Sequence, residues 1–176
     1  VNEEPILSLS EPFTAAENQT TVTGAVSASD VDSGDTLTYS ISGDDLAISS
    51  SGVVSFISAP DFETKNAYTA TITVTDTDGL TDSEEITISV TNVNEEPILT
   101  VSDACRAGED CRTFTGAVQA SDVDAGYTLT YIIYGDNLAI RSPCDVSFIS
   151  APDFESKNSY TATITLTDTD RLTDSE

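Results

Sequence analysis

The segment TATITVT at residues 69–75 alternates small or apolar side chains with threonines along its whole length. Ala70, Ile72 and Val74 recur at every second residue, which places them on one face of an extended strand while the threonines occupy the other face. Valine, isoleucine and threonine also favour strands because their branched Cβ atoms fit a pleated surface. The segment therefore predicts a β-strand with one buried face.

Working outward, this strand extends over residues 68–75, and six further segments share its character. They cover residues 6–10, 21–29, 37–41, 46–49, 53–57 and 84–91. Clusters of Gly, Asp, Asn and Ser, which favour turns, separate the segments, and no stretch has the 3.6-residue apolar period of a helix. Seven short strands in about 90 residues predict an all-β fold, a Greek-key β-sandwich of the Ig-like type.

The sequence repeats itself with an offset of 92 residues. VNEEPIL occurs at residues 1–7 and again at 93–99, and the offset then holds without a gap to the last residue. Of the 84 aligned positions 59 are identical, so both halves must share one fold. A unit of this length suits an independent domain rather than one turn of a solenoid. We therefore expect two tandem sandwich domains, residues 1–92 and 93–176.

The second domain is expected to lack its last strand. It has no counterpart of EITISVTN at residues 85–92, where apolar and polar side chains alternate as in a strand. A sandwich without that strand would expose an apolar seam and an unpaired edge. Two explanations are open: the sequence is part of a longer array, or another chain supplies the strand by β-augmentation.

The composition argues against several function classes. Asp and Glu total 31 against 6 Lys and Arg, a formal net charge of −25, so cations to bind nucleic acid or an anionic membrane surface are scarce. The chain has no His, and no general base accompanies its thiols or carboxylates, so we do not expect an enzyme. No apolar run approaches the roughly 20 residues of a membrane helix, so no membrane insertion is expected in this segment.

The three cysteines, Cys105, Cys111 and Cys144, all lie in the second half of the sequence. An odd number does not define a disulfide framework, and each of the three single pairings is open. We expect incidental thiols with at most one bridge.

Acidic residues cluster at predicted strand ends and turns. Asp30 and Asp32 are two residues apart, as are Asp61 and Glu63, so each pair directs its carboxylates to one side of an extended loop. Lys65 is the only cationic side chain of the first domain, so such clusters would repel one another unless a cation such as calcium lay between them. The remaining turn acids are expected to be merely solvated: Asp44, Asp45, Asp82 and Glu84.

The order of these groups resembles the cadherin repeat, especially the cadherin-like repeats of large bacterial surface proteins. The resemblance is carried by AEN at 16–18, DVD at 30–32, PDFE at 60–63, TDTDGL at 75–80 and VTNVNEEP at 90–97. Each motif is weak alone, but five in the order of the family within one repeat are more specific. The resemblance implies an extracellular sandwich domain that binds calcium at the junction with its neighbour.

Carried over residue by residue, the resemblance implies one complete calcium site at the junction. Its ligands would be Glu17, Asp61, Glu63, Asn92, Asn94, Glu95, Asp122, Asp124 and Asp168. Two half-sites would face further domains. One would consist of Asn2, Glu3, Asp30, Asp32 and Asp76, and the other of Glu109, Asp153 and Glu155.

The chain departs from the family pattern at the linker and in the second domain. NVNEEP at residues 92–97 replaces Asp-x-Asn-Asp-Asn-x-Pro, which removes one residue and one charge. Arg171 stands where the first domain has Gly79, and Tyr127 stands where it has Asp35. All four arginines lie in the second domain and could satisfy some acids without metal, so lower calcium occupancy is expected there.

The function that follows is a calcium-rigidified structural or adhesion repeat of a long extracellular bacterial surface protein. Its partners would be the neighbouring repeats of the same chain. Two alternatives stay open. One is an adhesive module that binds polysaccharide or identical chains, with Tyr127 and Tyr134 as the aromatic side chains to test. The other is a filament subunit that is completed by a donated strand.

Overall fold

The computed structural model describes residues 1–101, 106–107, 114–115, 118–141 and 145–176. The chain divides into two compact units, Val1–Val93 and Asn94–Glu176. All regular structure in the described residues is β-strand, so the all-β prediction is confirmed. Within the same residues, no helix is long and apolar enough to cross a membrane.

The first unit has seven strands, and each overlaps a predicted one. They are β1 (Ile6–Ala16), β2 (Thr23–Ser29), β3 (Thr38–Ile41), β4 (Leu46–Ile48), β5 (Val54–Phe56), β6 (Ala67–Thr75) and β7 (Thr81–Thr91). Three of them are longer than predicted, because β1 continues to Ala16, β6 begins at Ala67 and β7 begins at Thr81.

Strand β1 pairs with a different strand in each of its halves. Its first half pairs antiparallel with β2, the register shifts after Ser10, and residues 13–16 pair parallel with β7. Strand β7 continues through β6 to β3. Strands β4 and β5 pair with each other and meet the chain before β2 through a bridge between Thr21 and Ser55. Strand β1 therefore connects β2 to the strands β7, β6 and β3.

The core of the first unit follows the period-two pattern of the sequence. Ala70, Ile72 and Val74 of β6 are buried, as predicted, and so are Ile86 and Ile88 of β7. They pack against apolar side chains from the other strands of the unit: Leu7, Phe13, Val26, Leu46, Val54 and Phe56. The alternation that identified the strands therefore also identified their buried faces.

The second unit has nine strands among its described residues. They are β8 (Ile98–Val101), β9 (Arg106–Ala107), β10 (Phe114–Thr115), β11 (Val118–Ser121), β12 (Thr130–Gly135), β13 (Leu138–Arg141), β14 (Asp145–Phe148), β15 (Ala162–Thr167) and β16 (Thr173–Ser175). Strand β16 pairs with β15 and is the counterpart of the first residues of β7. The buried centre of this unit is Leu99, Ile164 and Leu166.

An aspartate anchors the first strand of each unit. The Leu7 N–H donates to Asp82 Oδ2 at 2.8 Å, and the Leu99 N–H donates to Asp174 Oδ2 at 2.7 Å. The prediction that Asp82 is merely solvated is wrong, because its carboxylate takes the place of a neighbouring strand as acceptor for a backbone donor.

Replacing Ile72 by Ala should lower the free energy of unfolding of the first unit by about 3 kcal/mol, because the cavity lies in a closely packed core. The same change at Ile57, which is 62% exposed, should cost less than about 0.5 kcal/mol. Urea unfolding followed by circular dichroism measures both variants. Equal losses at the two positions would contradict the described core.

Candidate metal centre

The trailing cluster of the first unit consists of Glu17, Asp61, Glu63 and Asn92. Glu17 follows β1, the two other acids lie in the loop between β5 and β6, and Asn92 follows β7. One carboxylate oxygen from each of the three acids lies within 4.8 Å of the other two. Oxygen ligands of one hard cation need such proximity. The fold thus brings together residues that are far apart in sequence.

Glu17 is fixed in place by backbone donors. Its side chain is 1% exposed. The Phe62 N–H donates to its Oε2 at 2.9 Å, and the Val93 N–H donates to its Oε1 at 2.6 Å. A carboxylate is buried at low cost only when it accepts such bonds. Glu17 therefore ties both the β5–β6 loop and the end of the unit to β1.

Asp61 shapes the loop that carries it. The Thr64 N–H donates to Oδ1 at 3.0 Å, and the Thr64 hydroxyl donates to Oδ2 at 2.8 Å. These two bonds to the ionised form hold the pKa of Asp61 below its ordinary value. The Lys65 N–H closes the turn on the Asp61 carbonyl at 2.9 Å. Asp61 is therefore a fully charged side chain in a defined turn.

The Lys65 side chain points to other partners. Its Nζ lies 3.7 Å from Asp45 Oδ2 and 3.9 Å from the centroid of the Tyr68 ring. Glu63 instead accepts a hydrogen bond from the neutral Asn92 amide at 2.8 Å. Since Lys65 is the only Lys or Arg of the first unit, that unit supplies no second cationic side chain to balance the three carboxylates.

The leading cluster of the first unit lies in the chain before β1, the β2–β3 loop and the β6–β7 turn. It consists of Asn2, Glu3, Asp30, Asp32, Asp35 and Asp76. Carboxylate oxygens of Asp30, Asp32 and Asp35 lie within 4.8 Å of one another. The resemblance did not assign Asp35 to the cluster. Its position three residues after Asp32 in the same loop was the available signal.

Hydrogen bonds connect the leading cluster to the chain before β1. The Asn2 amide donates to Asp76 Oδ2 at 2.7 Å, and the Glu3 N–H donates to Asp32 Oδ2 at 2.7 Å. Burial raises the pKa of Asp76, but bonds from Asn2 and from the backbone N–H groups of the following turn, that of Leu80 among them, outweigh it. The pKa of Asp76 therefore lies below its ordinary value.

Asp30 has one carboxylate oxygen that lacks a partner. Its Oδ1 accepts the Asp32 N–H at 2.9 Å. Its Oδ2 is inaccessible to solvent, and no hydrogen-bond partner is found for it among the described residues. The same holds for Asp122 Oδ2 and Asn94 Oδ1 in the second unit. Buried carboxylate and amide oxygens without donors are unfavourable. They are also the ligand atoms that a hard cation requires, so these residues fit calcium.

The second unit has an equivalent leading cluster: Asn94, Glu95, Asp122, Asp124 and Asp168. The Asn94 amide donates to Asp168 Oδ2 at 2.7 Å, and the Glu95 N–H donates to Asp124 Oδ2 at 2.8 Å. Asp124 and Asp168 are each 4% exposed. The five residues that the resemblance assigned here therefore lie together within one unit.

Tyr127 and Arg171 distinguish this cluster from that of the first unit. The Tyr127 hydroxyl donates to Asp170 Oδ2 at 3.3 Å. Burial raises the pKa of Tyr127, and the negative charges of Asp170, Asp124 and Asp168 raise it further, so the hydroxyl stays protonated. Arg171 has φ of 75°, a left-handed conformation that favours glycine.

The remaining predicted half-site is described only in part. The Ser156 hydroxyl donates to Asp153 Oδ2 at 2.6 Å and lowers the pKa of Asp153. The Ser156 N–H donates to Asp153 Oδ1 at 3.3 Å and the Lys157 N–H donates to the Asp153 carbonyl at 2.9 Å, so this turn is the same as that of Asp61 in the first unit. Glu109 and the three cysteines lie outside the described residues.

Comparison with known proteins identifies related folds. Residues 2–89 match the family described as bacterial Ig domain. The chain superimposes on PcdhgB3 EC1-4 (TM-score 0.72, 21% identity), on Drosophila N-cadherin EC1-4 (TM-score 0.67, 21% identity) and on mouse cadherin-23 EC22-24 (TM-score 0.65, 21% identity). The predicted resemblance to cadherin repeats is therefore confirmed for the fold.

These superpositions cover nearly all of this chain but only part of the matched structures. They include 98% of this chain and 48% of PcdhgB3 EC1-4, 99% and 48% for N-cadherin, and 99% and 65% for cadherin-23. The chain thus spans about half the length of the first two structures. No curated protein sequence matches it significantly.

Replacing Glu17 by Ala should lower the free energy of unfolding by about 2–4 kcal/mol in the presence of a chelator, because two buried N–H groups lose their acceptor. Glu84→Ala is the matched control, since Glu84 is an exposed glutamate on β7 and its loss should cost less than about 0.5 kcal/mol. Chemical denaturation in EDTA measures both. A Glu17 variant as stable as the control would mean that the carboxylate is not structural.

Proposed function

Because the chain belongs to the bacterial Ig domain family, we propose that it is a structural or adhesion repeat of an extracellular surface protein, and that calcium makes the connection between its two domains rigid. Domains of this family are typically extracellular and non-enzymatic. The two domains of the proposal are residues 1–92 and 93–176, and each would act as a spacer that supports its neighbours.

The observation that carries the proposal is the bonding of four consecutive linker residues, 92–95. Residues 92 and 93 donate hydrogen bonds to the trailing cluster of the first unit. The Asn92 amide donates to Glu63, and the Val93 N–H donates to Glu17.

The next two linker residues bond the leading cluster of the second unit. The Asn94 amide donates to Asp168, and the Glu95 N–H donates to Asp124. Val93 thus bonds the cluster of the first unit, and the very next residue, Asn94, bonds the cluster of the second unit. Consecutive Cα atoms are about 3.8 Å apart. This covalent connection supports the proposal that both clusters contribute ligands to shared ions.

Charge repulsion supplies the reason for a calcium requirement. The two clusters carry the carboxylates of Glu17, Asp61 and Glu63 on one side of the linker and those of Asp122, Asp124 and Asp168 on the other. In the proposed site these charges would repel without a cation, and the short linker would act as a hinge. A bound calcium ion would supply the positive charge that lets carboxylates of both domains share one site.

The proposed ligands are the nine residues of the predicted junction. They are Glu17, Asp61, Glu63, Asn92, Asn94, Glu95, Asp122, Asp124 and Asp168. The buried oxygens of Asn94 and Asp122 that have no hydrogen-bond partner support their inclusion. By the same argument, the leading cluster of the first unit and the turn at Asp153 would serve junctions with further domains.

Calcium titration by calorimetry, with thermal melts in calcium and in EDTA, tests the proposal. We expect saturable binding with dissociation constants of about 10⁻⁴–10⁻³ M, the range of extracellular modules, and a higher melting temperature in calcium. Asp122→Asn should reduce the calcium-dependent rise, because it removes charge from a buried ligand oxygen. Asp44→Asn, in an exposed turn, should leave the rise unchanged.

Absence of binding at about 10 mM calcium, well above the affinity range of such modules, would refute the proposal. The proposal would also fail if Asp44→Asn and Asp122→Asn had equal effects, because the stabilisation would then be general charge screening rather than coordination.

One observation favours polysaccharide binding as a second candidate function. Tyr134 is 65% exposed and Ile132 is 48% exposed. They lie two residues apart on β12 and therefore on one face. At the equivalent positions the first unit has Ser40 and Ser42. An exposed aromatic ring beside strand threonines suits a neutral sugar, whereas the net charge of −25 disfavours an anionic one.

Tyr134→Ser, which introduces the residue of the first unit, should abolish retention of the chain on an immobilised neutral polysaccharide. Ser42→Ala, at the equivalent position of the first unit, should leave retention unchanged, because the stacking ring is in the second unit. Affinity electrophoresis measures both variants. Equal mobility of the wild type with and without polysaccharide would remove this candidate.

A further inference from the structure

The leading clusters of the two units can be compared residue by residue, because the 92-residue repeat relates their positions. The bonds from Asn2 to Asp76 and from Asn94 to Asp168 are both 2.7 Å long, and the bonds from the next residue to the DVD aspartate are 2.7 and 2.8 Å. An inaccessible aspartate oxygen without a partner occurs at the same position in both clusters. These hydrogen bonds are therefore the same in both clusters, so the effect of the residues that differ can be tested by exchanging them.

The first difference concerns the carboxylate that follows the DVD motif. In the first unit an oxygen of Asp35 lies within 4.8 Å of oxygens of Asp30 and Asp32. In the second unit Tyr127 takes this position, and its hydroxyl donates to Asp170. A carboxylate at the cluster is thus replaced by a neutral side chain that is bonded to a different acid.

The second difference lies in the turn that holds the buried aspartate. In both units this aspartate accepts the N–H of the leucine four residues later, at 2.8 Å for Asp76 and 2.9 Å for Asp168. The residue before the leucine is Gly79 in the first unit and Arg171 in the second. Both have positive φ, 93° and 75°. The turn therefore keeps its shape although arginine is unfavourable there, and it gains a positive charge.

We propose that Tyr127 and Arg171 weaken divalent-cation binding at the leading cluster of the second unit, relative to what Asp35 and Gly79 provide in the first. The inference rests on the proposed function, since it assumes that the cluster binds calcium. Together the two changes make the cluster more positive by two charges, one from the lost carboxylate and one from the added guanidinium. They would thereby set the calcium concentration at which the connection between the domains becomes rigid.

The magnitude follows from charge alone. The lost carboxylate contributes the larger share, because the Asp35 oxygen lies within 4.8 Å of oxygens of Asp30 and Asp32. Arg171 adds a positive charge in the turn of Asp168, whose carbonyl accepts the Arg171 N–H at 3.4 Å. Together, charges so placed in a partly exposed site change the affinity for a divalent ion by roughly tenfold. Each variant is compared with the wild type at the same cluster, so the other ligands of that cluster are the same on both sides of the comparison.

Residue-resolved NMR on the full ¹⁵N-labelled chain provides the test. Gly34 lies in the loop of Asp32 and Asp35, and Gly126 lies in the loop of Asp124 and Tyr127, so their amide signals report the two clusters separately. Calcium chloride is titrated to about 10 mM. The double variant Tyr127→Asp/Arg171→Gln should lower the Gly126 midpoint roughly tenfold and leave the Gly34 midpoint unchanged.

Matched variants show whether the calcium midpoint depends on the charge or on the shape of these side chains. Tyr127→Phe and Arg171→Lys keep the ring and the cation, respectively, and should leave the Gly126 midpoint within about twofold of the wild type, as their formal charge is unchanged. Arg171→Gln retains a side chain at positive φ, so its effect is not that of relieved backbone strain. The reciprocal variant Asp35→Tyr should raise the Gly34 midpoint and spare Gly126, which tests the idea in the other unit.

The outcomes distinguish this inference from the proposed function. If neither glycine signal moves with calcium, the proposed function fails and the inference fails with it. If both signals move but neither the double variant nor Asp35→Tyr shifts its midpoint by more than about twofold, calcium binding stands and the inference is overturned. Midpoint shifts in opposite directions for the two substitutions support it.

Discussion

Carboxylates that are held in place by backbone donors are the constraint on which the structure depends. Glu17 accepts two backbone N–H groups while it is almost fully buried, and Asp124 and Asp168 are buried in the second unit. Their partners are neutral amides rather than cationic side chains. Such carboxylates cannot move apart to relieve repulsion, because the bonds that fix them also close the loops of the sandwich.

The β-sandwich determines where these groups meet. Residues 30–35 follow β2 and Asp76 follows β6, so two separate connections and the entering chain form the leading cluster. Glu17 follows β1, and the loop after β5 supplies Asp61 and Glu63. The apolar face of each strand fixes the register, and the register fixes which loop ends are neighbours. Loops can then carry charge without a cost to the core.

Much of the fold was predictable from local pattern, and the exceptions have physical reasons. Alternation identified the strands of the first unit and the buried face of β6, because burial of one sheet face imposes period two. The second half of β1 was missed, because Glu11 and Pro12 interrupt the alternation and its parallel partner β7 is distant in sequence. The role of Asp82 was missed for a similar reason, since its bond to Leu7 joins residues that are 75 positions apart.

The clusters were predictable as far as the motifs extended. Asp30, Asp32 and Asp76 belong to motifs, whereas Asp35 joins them only through the path of the loop. The hydrogen bond from Tyr127 to Asp170 was also not predictable, because composition does not reveal hydrogen-bond partners. Sequence therefore predicts which acids gather, but the structure is needed to show which of them already have donors.

The most direct test of the account is ¹⁵N relaxation of the full chain, which yields a rotational correlation time for each unit. The account predicts that both units share one long correlation time in about 10 mM calcium, above the affinity range of extracellular modules. In EDTA they should show shorter and separate times, because the linker becomes a hinge. Identical correlation times in the two conditions would contradict the claim that calcium joins the two domains.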